Sequence, residues 1–246
     1  MIARVKTGIA GFDELVGGGF PPGSCVLVSG KIGTGKSIFA MQYIANGITD
    51  YGDLGVFVSL ESEKEDLYSY ASEFGLQFKR LEKGEGLKFL GGPISTVIGD
   101  MRKAKATIED LISEIVETVE DSESKRMALE RVDLLQLLSP EEPDIRAHIS
   151  DLKERLRKLG CTSVLTAEIR EGSEELSGVR AEEILDGVIV LYYEGEGLTR
   201  DRALEIRKMR GTEHSNQLHF FDITGDGIVI KKMPEMPRVP RAKGSF

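Results

Sequence analysis

The segment Ser24–Ser37, "SCVLVSGKIGTGKS", constrains the fold of this chain more than any other. Its opening run, Ser24–Ser29, is short, apolar and rich in Val and Leu, which is the composition of a buried strand in a parallel sheet. Beyond Lys36 the apolar residues Ile38, Met41, Ile44 and Ala45 recur at helical spacing, and Gly47 supplies a stop. Strand, glycine loop and helix in this order make a tight turn. Gly30, Gly33 and Gly35 let the backbone aim its N–H groups at one point, where phosphate oxygens fit. The helix N-terminus adds about half a positive charge at the same point. In this pattern Lys36 reaches the β- and γ-phosphates of a nucleoside triphosphate and the Ser37 hydroxyl ligates Mg²⁺. The expected nucleotide-binding set is Gly30, Ile32, Gly33, Thr34, Gly35, Lys36 and Ser37.

The rest of the chain alternates in the same manner. "GVFVSL" is followed by a helix to Phe74, and "LKFL" by a helix carrying Ile108, Leu111, Ile112, Ile115 and Val119. "RMAL" precedes a long helix with Ile145, Ile149, Leu152, Leu156 and Leu159, closed by Gly160. "TSVLTA", "GVIVLYY", "RALEIRKM", "LHFFDI" and "GIVI" then follow with little helix between the last four. The first half predicts a parallel sheet covered on both faces, and the end predicts antiparallel strands added to it. With 246 residues the chain can bury a full core as one α/β domain over residues 1–232, with a loose, basic, proline-containing tail at 233–246. No apolar run approaches the ~20 residues of a membrane span, and the N-terminus lacks a signal-peptide core, so the expected location is cytoplasmic. Cys25 and Cys161 fall in predicted strands without metal-ligand spacing and are expected to be buried free thiols. A net charge of −9 argues against a generally cationic nucleic-acid surface. Scarce Asn and Gln beside plentiful Lys, Arg and Glu point towards a heat-adapted source.

Five blocks together carry a family likeness: "TGIAGFDELVGGGFPPGS", "GKIGTGKS", "GVFVSLES", "LDGVIVLYY" and "LEIRKMRGTEHSNQLHFFDIT". Spread over Thr7–Ile230, they resemble the KaiC-like branch of the RecA/RadA ATPases. The likeness implies a RecA-like α/β fold, ATP and Mg²⁺ as cofactors, and a homo-oligomeric ring, often a hexamer, with ATP between neighbouring subunits. Other copies of the chain, and a protein partner, are the partners it implies. It also implies a catalytic glutamate at the end of the strand next to the phosphate-loop strand, and Glu61 matches that position. In-line attack on a γ-phosphate requires such an acceptor near the water. A second acid often follows in the family, but here the residue is Ser62, and Ser62 with Glu65 reads as a helix capping box. The family further supplies a Lys and an Arg to the γ-phosphate held by a neighbouring subunit, and these fall on Lys208 and Arg210. Residues i and i+2 of a strand project from one face, so the pair points one way and Met209 the other. Thr166 matches either a γ-phosphate sensor or an ordinary strand threonine.

The pattern breaks at the Mg²⁺-binding acid. "RMALERVDLLQLL" places Glu130 where the family has aspartate, and Arg131 where a small hydroxyl residue is usual. Moving the register to Asp133 would bury Glu130 and Arg131 inside the strand and is rejected. The extra methylene of Glu130 displaces its carboxylate by ~1.5 Å, and Mg²⁺ requires tight octahedral geometry. Slow hydrolysis is therefore expected, with Ser37 and Glu130 as the metal ligands. Three functions compete: an ATPase acting as a regulatory or assembly switch, an ATP-binding scaffold without turnover, and a RadA paralogue on single-stranded DNA. The loops "SPEEPD" and "EGSEELSGVRAEE" are acidic and repel phosphate, whereas Lys231, Lys232, Arg238, Arg241 and Lys243 favour DNA.

Overall fold

The computed structural model describes residues 3–138, 145–170, 172–173, 175–195 and 200–232. Strand β1 (Cys25–Gly30) is buried at every position because it has a covered face on both sides. Its side chains alternate between two cores. Val26 and Val28 enter one with Phe39, Tyr43 and Ile44, whereas Cys25 and Leu27 enter the other with Ile112, Ile115 and Ile149. This is why the strand reads as a continuous apolar run instead of an alternation.

Helix α1 (Lys36–Tyr51) lies in the first core, and α5 (Ile108–Asp121) and α6 (Arg146–Lys158) lie in the second. The parallel strands are β1, β2 (Gly55–Ser59), β3 (Leu87–Gly91), β4 (Arg126–Glu130), β5 (Thr162–Glu168) and β6 (Gly187–Glu194). Antiparallel strands β7 (Asp201–Met209), β8 (His219–Thr224) and β9 (Gly227–Ile230) extend the sheet. Among the described residues the order is β3-β2-β4-β5-β1-β6-β7-β8-β9. The mostly parallel α/β architecture with an antiparallel C-terminal end is the one expected.

Several local expectations are corrected. Helix α1 runs through Gly47 and stops at Gly52, whose φ is 71°. Gly47 serves packing: a Cβ there would lie 2.2 Å from Cδ and Nε of Arg126. That arginine is 1% exposed, pairs with Asp53 at 2.8 Å and lies 5.0 Å from the ring centre of Tyr43. The helix after β2, α2 (Lys64–Glu73), starts one residue later than expected, with Glu63 as an N-cap that makes no side-chain bond. The Ser62 N–H instead donates to Ser59 Oγ at 2.9 Å, so the Ser62–Glu65 capping box does not form. A complete capping box does occur at Thr107 and Asp110, at the start of α5. Helices α3 (Phe78–Lys83) and α4 (Ile94–Ala104) were not expected, and α4 contains no buried residue. The four-residue α7 (Ala181–Ile184) precedes β6.

Both cysteines are free and buried, although Cys161 immediately precedes β5 and lies outside it. Burial pushes each thiol up to about 12. Among the described residues no helix is long and apolar enough to cross a membrane. The expected tail 233–246, with Arg238, Arg241 and Lys243, and the "SPEEPD" loop lie outside the described residues.

Candidate nucleotide site

The loop between β1 and α1 has the expected backbone. Gly33 and Gly35 have φ of 78° and 103°, a region that a Cβ strongly disfavours. Gly30 is required for a different reason: an added Cβ would lie 2.6 Å from Leu191 O and from Thr34 Oγ1. The loop folds over its own carbonyl at Lys31, which accepts from Thr34 Oγ1 at 2.8 Å and from Lys36 Nζ at 2.9 Å. Burial pushes the Lys36 ammonium below the usual lysine range, with Glu168 opposing that shift. A buried cation facing a concave run of glycines is matched to an anion. From β7, the Arg202 guanidinium donates to Gly33 O at 3.2 Å and lies 4.2 Å from the ring centre of Tyr193. Ile32 is 79% exposed at the tip of the loop.

A cavity of about 550 Å³ opens over this loop. Lys36, Ser37, Glu61, Arg131, Glu168 and Arg202 supply its polar lining, and Ile38, Phe74 and Ile223 its apolar lining. A cavity that mixes charged groups with apolar side chains suits a ligand carrying both phosphates and a flat base. Glu130 closes β4 beneath the cavity with 2% of its surface exposed. Ser59 Oγ donates to its Oε2 at 2.7 Å, and the nearby Ser37 hydroxyl also favours its charged form. Desolvation raises the Glu130 carboxyl above the usual glutamate range, and the two hydroxyls partly offset this. A hydroxyl and a carboxylate on neighbouring elements at the foot of the loop are a donor set that fits Mg²⁺. Asp133 lies past the strand, in a 3-10 turn at Val132–Leu137, so β4 ends at Glu130.

Glu61 follows β2 and reaches the same cavity, but β2 is not the neighbour of β1. Strands β4 and β5 stand between them. The strand that follows β1 in sequence crosses to a more distant place in the sheet, and the cavity spans the carboxyl ends of the four strands. Arg131 NH1 holds Glu61 Oε1 at 2.7 Å. Thr166 Oγ1 accepts the backbone N–H of Arg131 at 3.0 Å, the task of a structural threonine.

Lys208 and Arg210 are absent from the cavity. Gly30 of β1 pairs with Leu191, whereas Met209 pairs with Gly187, which pairs with Val26. The two cations therefore flank the beginning of β1, about 13 Å along the strand from the loop. Lys208 Nζ donates to Glu182 O at 3.1 Å, and Arg210 NH1 approaches Asp186 Oδ1 at 3.5 Å. Asp186 also holds Lys153 at 3.1 Å. Met209 is buried while Lys208 and Arg210 reach the surface, as their alternation requires. Sequence reasoning had no signal for Glu168 or Arg202, which join the site only through the pairing of β5, β1, β6 and β7.

A parallel sheet whose first strand passes through a glycine loop into a helix carrying a buried lysine, with acids at the ends of nearby strands, defines a P-loop nucleotide-binding protein of the RecA-like type. The family described as "ATPase: KaiC" matches residues 5–235. The chain is 35% identical over 237 residues to a UPF0273 protein of Pyrococcus furiosus, covering 94% of each. It is 32% identical over 242 residues to the circadian clock oscillator protein KaiC of Synechococcus elongatus, covering 98% of this chain and 46% of that one. The solved KaiC-like protein of the hyperthermophile Pyrococcus horikoshii has a TM-score of 0.82 and 35% identity to it, covering 94% of this chain and 100% of that one. The chain belongs to the KaiC ATPase family, as a single KaiC domain.

Proposed function

We propose that residues 1–232 form an Mg²⁺-dependent ATP-binding domain with slow turnover, acting in the cytoplasm as a nucleotide-dependent regulatory or assembly switch. ATP sits between neighbouring copies in a homo-oligomeric ring such as a hexamer. The observation that carries this reading is the position of Lys208 and Arg210. They share one face near the start of β1, away from their own chain's cavity, where a second copy can receive them.

Within one subunit Lys36 meets the β- and γ-phosphates and the loop amides hold the remaining oxygens. Ser37 and Glu130 would hold Mg²⁺, which supplies charge neutralisation at the phosphates when bound. Glu61 orients water and takes one of its protons. The water oxygen bonds to the γ-phosphorus while the bond to the β–γ bridging oxygen breaks, releasing ADP and phosphate. The neighbour's Lys208 and Arg210 steady the transferred group, the arginine bidentately and the lysine as a point charge.

Slow turnover is supported by Glu130, whose carboxylate is buried and already accepts a hydrogen bond from Ser59 at 2.7 Å. Its longer side chain must also give up that arrangement to meet a metal, and a misplacement near 1 Å lowers a rate by ~100-fold. The same observation favours, as a second reading, a scaffold in which ATP cements assembly without turnover. A single-stranded DNA function has less support, because Lys231 is paired with Asp222 at 2.9 Å.

The test is steady-state ATP hydrolysis together with solution mass, each with and without Mg·ATP, using Lys36→Ala as the control. Assembly that depends on ATP, with measurable turnover, is expected. Assembly without turnover selects the scaffold. ATP affinity unchanged by Lys36→Ala removes the basis of both.

A further inference from the structure

Arg131 stands at a junction that the chemistry above does not use. It follows β4 directly and adopts φ 64° and ψ 55°, a left-handed conformation that side chains bearing a Cβ rarely take. Its guanidinium meets three carboxylates from three elements. Asp133 accepts from Nε at 3.1 and 3.2 Å and from NH2 at 2.9 Å. Glu168 Oε2, at the end of β5, lies 2.9 Å from NH1, and Glu61 Oε1, just past β2, lies 2.7 Å from the same nitrogen. Strands β2, β4 and β5 are neighbours, so one side chain ties three adjacent strand ends beside the phosphate loop. Asp133 and Arg131 are 12% and 16% exposed as side chains, which makes this pair the anchor, while Glu61 at 43% is the most exposed member.

The proton transferred in hydrolysis goes to Glu61. The ion pair with Arg131 occupies one of the two oxygens with which Glu61 can orient water and take its proton. A backbone strained to deliver one arginine to a catalytic carboxylate is the arrangement expected at a functional site.

We propose that Arg131 is a built-in brake on ATP hydrolysis, a positioning residue that holds Glu61 in an ion pair and keeps the bound nucleotide long-lived. The proposal rests on Glu61 being the base of the ATPase proposed above. Arg131 has a second consequence, because it also offsets the charge of three acids beside the γ-phosphate position. Removing it is therefore expected to raise kcat and to raise KM for Mg·ATP. A purely structural tie would lower kcat and thermal stability together.

The experiment compares wild type, Arg131→Ser, Arg131→Lys, Glu61→Gln and the double variant Arg131→Ser/Glu61→Gln as full chains at saturating Mg·ATP. Single-turnover measurements with radiolabelled ATP are used where steady-state rates are too slow. Arg131→Ser is expected to raise kcat about fivefold, the effect of releasing one half-exposed ion pair. Arg131→Lys keeps the charge and the fold but cannot serve three carboxylates at once, so its kcat lies between the two. The double variant turns over at the rate of Glu61→Gln, because the gain passes through Glu61. A kcat unchanged or lowered in both single Arg131 variants, with ATP still bound and Glu61→Gln suppressing wild-type hydrolysis, overturns the brake and leaves the ATPase reading intact. Activation that persists in the double variant overturns it as well. Wild-type turnover indifferent to Glu61→Gln shows that the assignment of Glu61 as the base has failed, and the brake falls with it.

Discussion

Glu130 is a carboxylate with 2% of its surface exposed, bonded by Ser59 Oγ at 2.7 Å and proposed above as a ligand of Mg²⁺. Desolvation raises its pKa on folding. A group whose folded pKa is raised contributes stability below its unfolded value and loses that contribution as pH rises through the folded one. At neutral pH, without Mg²⁺, the charged Glu130 therefore opposes folding. Glu130→Gln removes the charge and keeps a hydrogen-bonding head group. In buffer containing EDTA, its Tm at pH 7 is expected to exceed that of the wild type. The difference should shrink as pH falls through the Glu130 pKa, which lies above the ordinary glutamate value of 4.5. Thermal melts across that range check the sign, and a Tm lower than wild type at pH 7 defeats the account. Such a variant trades metal binding for stability, as functional positions commonly do.

Among the elements, α1 shows a local preference overruled by a distant partner. Alanine is a better helix former than glycine by about 1 kcal/mol, so Gly47→Ala on propensity alone should stabilise α1. Its Cβ would fall 2.2 Å from the buried Arg126, which donates to Asp53, to Lys6 O and to Tyr43 O. Displacing that arginine disrupts a packed charge network. Gly47→Ala is expected to destabilise the protein by about 2–4 kcal/mol, read as a shift of the urea midpoint. The same residue explains why the sequence misplaced the end of α1: a mid-helix glycine signals a stop unless something distant needs its missing Cβ. The continuous apolar run of β1 and the helical apolar periods of α5 and α6 were legible because their own side chains fill a core. Helix α4 was missed although Ile94, Val97, Ile98 and Met101 recur at helical spacing, because that stripe is short, follows Gly91, Gly92 and Pro93, and is only partly buried against the second core. Within the site, the phosphate loop was legible from its glycines and Lys36. The arginine hub was not, because Arg131 and Glu61 are 70 positions apart and meet only through the order of the strands.

For the whole molecule, the proposed ring turns the separation of the cation pair from its own chain's cavity into a division of labour between copies. Replacing Lys208 and Arg210 by alanine leaves the loop, Ser37, Glu130 and Glu61 in place. The isolated subunit is expected to bind ATP normally, while ATP-dependent assembly and turnover fall together. An arginine finger contributes ~10³-fold or more where hydrolysis is efficient, and with the slow turnover proposed above a smaller loss is expected. Mixing this variant with Lys36→Ala checks the arrangement. A mixed ring contains intact loops facing intact cations, so partial activity returns. Two variants that co-assemble and stay inactive place the cations in a structural role around Asp186, which already binds Lys153.

The two buried thiols give this molecule a built-in clock. Cys25 and Cys161 sit in the second core, and burial suppresses their ionisation up to about 12. Only the thiolate attacks a disulfide reagent, so labelling at pH 8 must wait for the core to open. The chromophore released from Ellman's reagent then reports how often the domain breathes, with no dye or tag attached. Saturating nucleotide closes the same sheet from its other end and should slow release by about 1 + [L]/Kd. Labelling that is fast and indifferent to ATP would mean that these sulfurs reach solvent without the sheet opening.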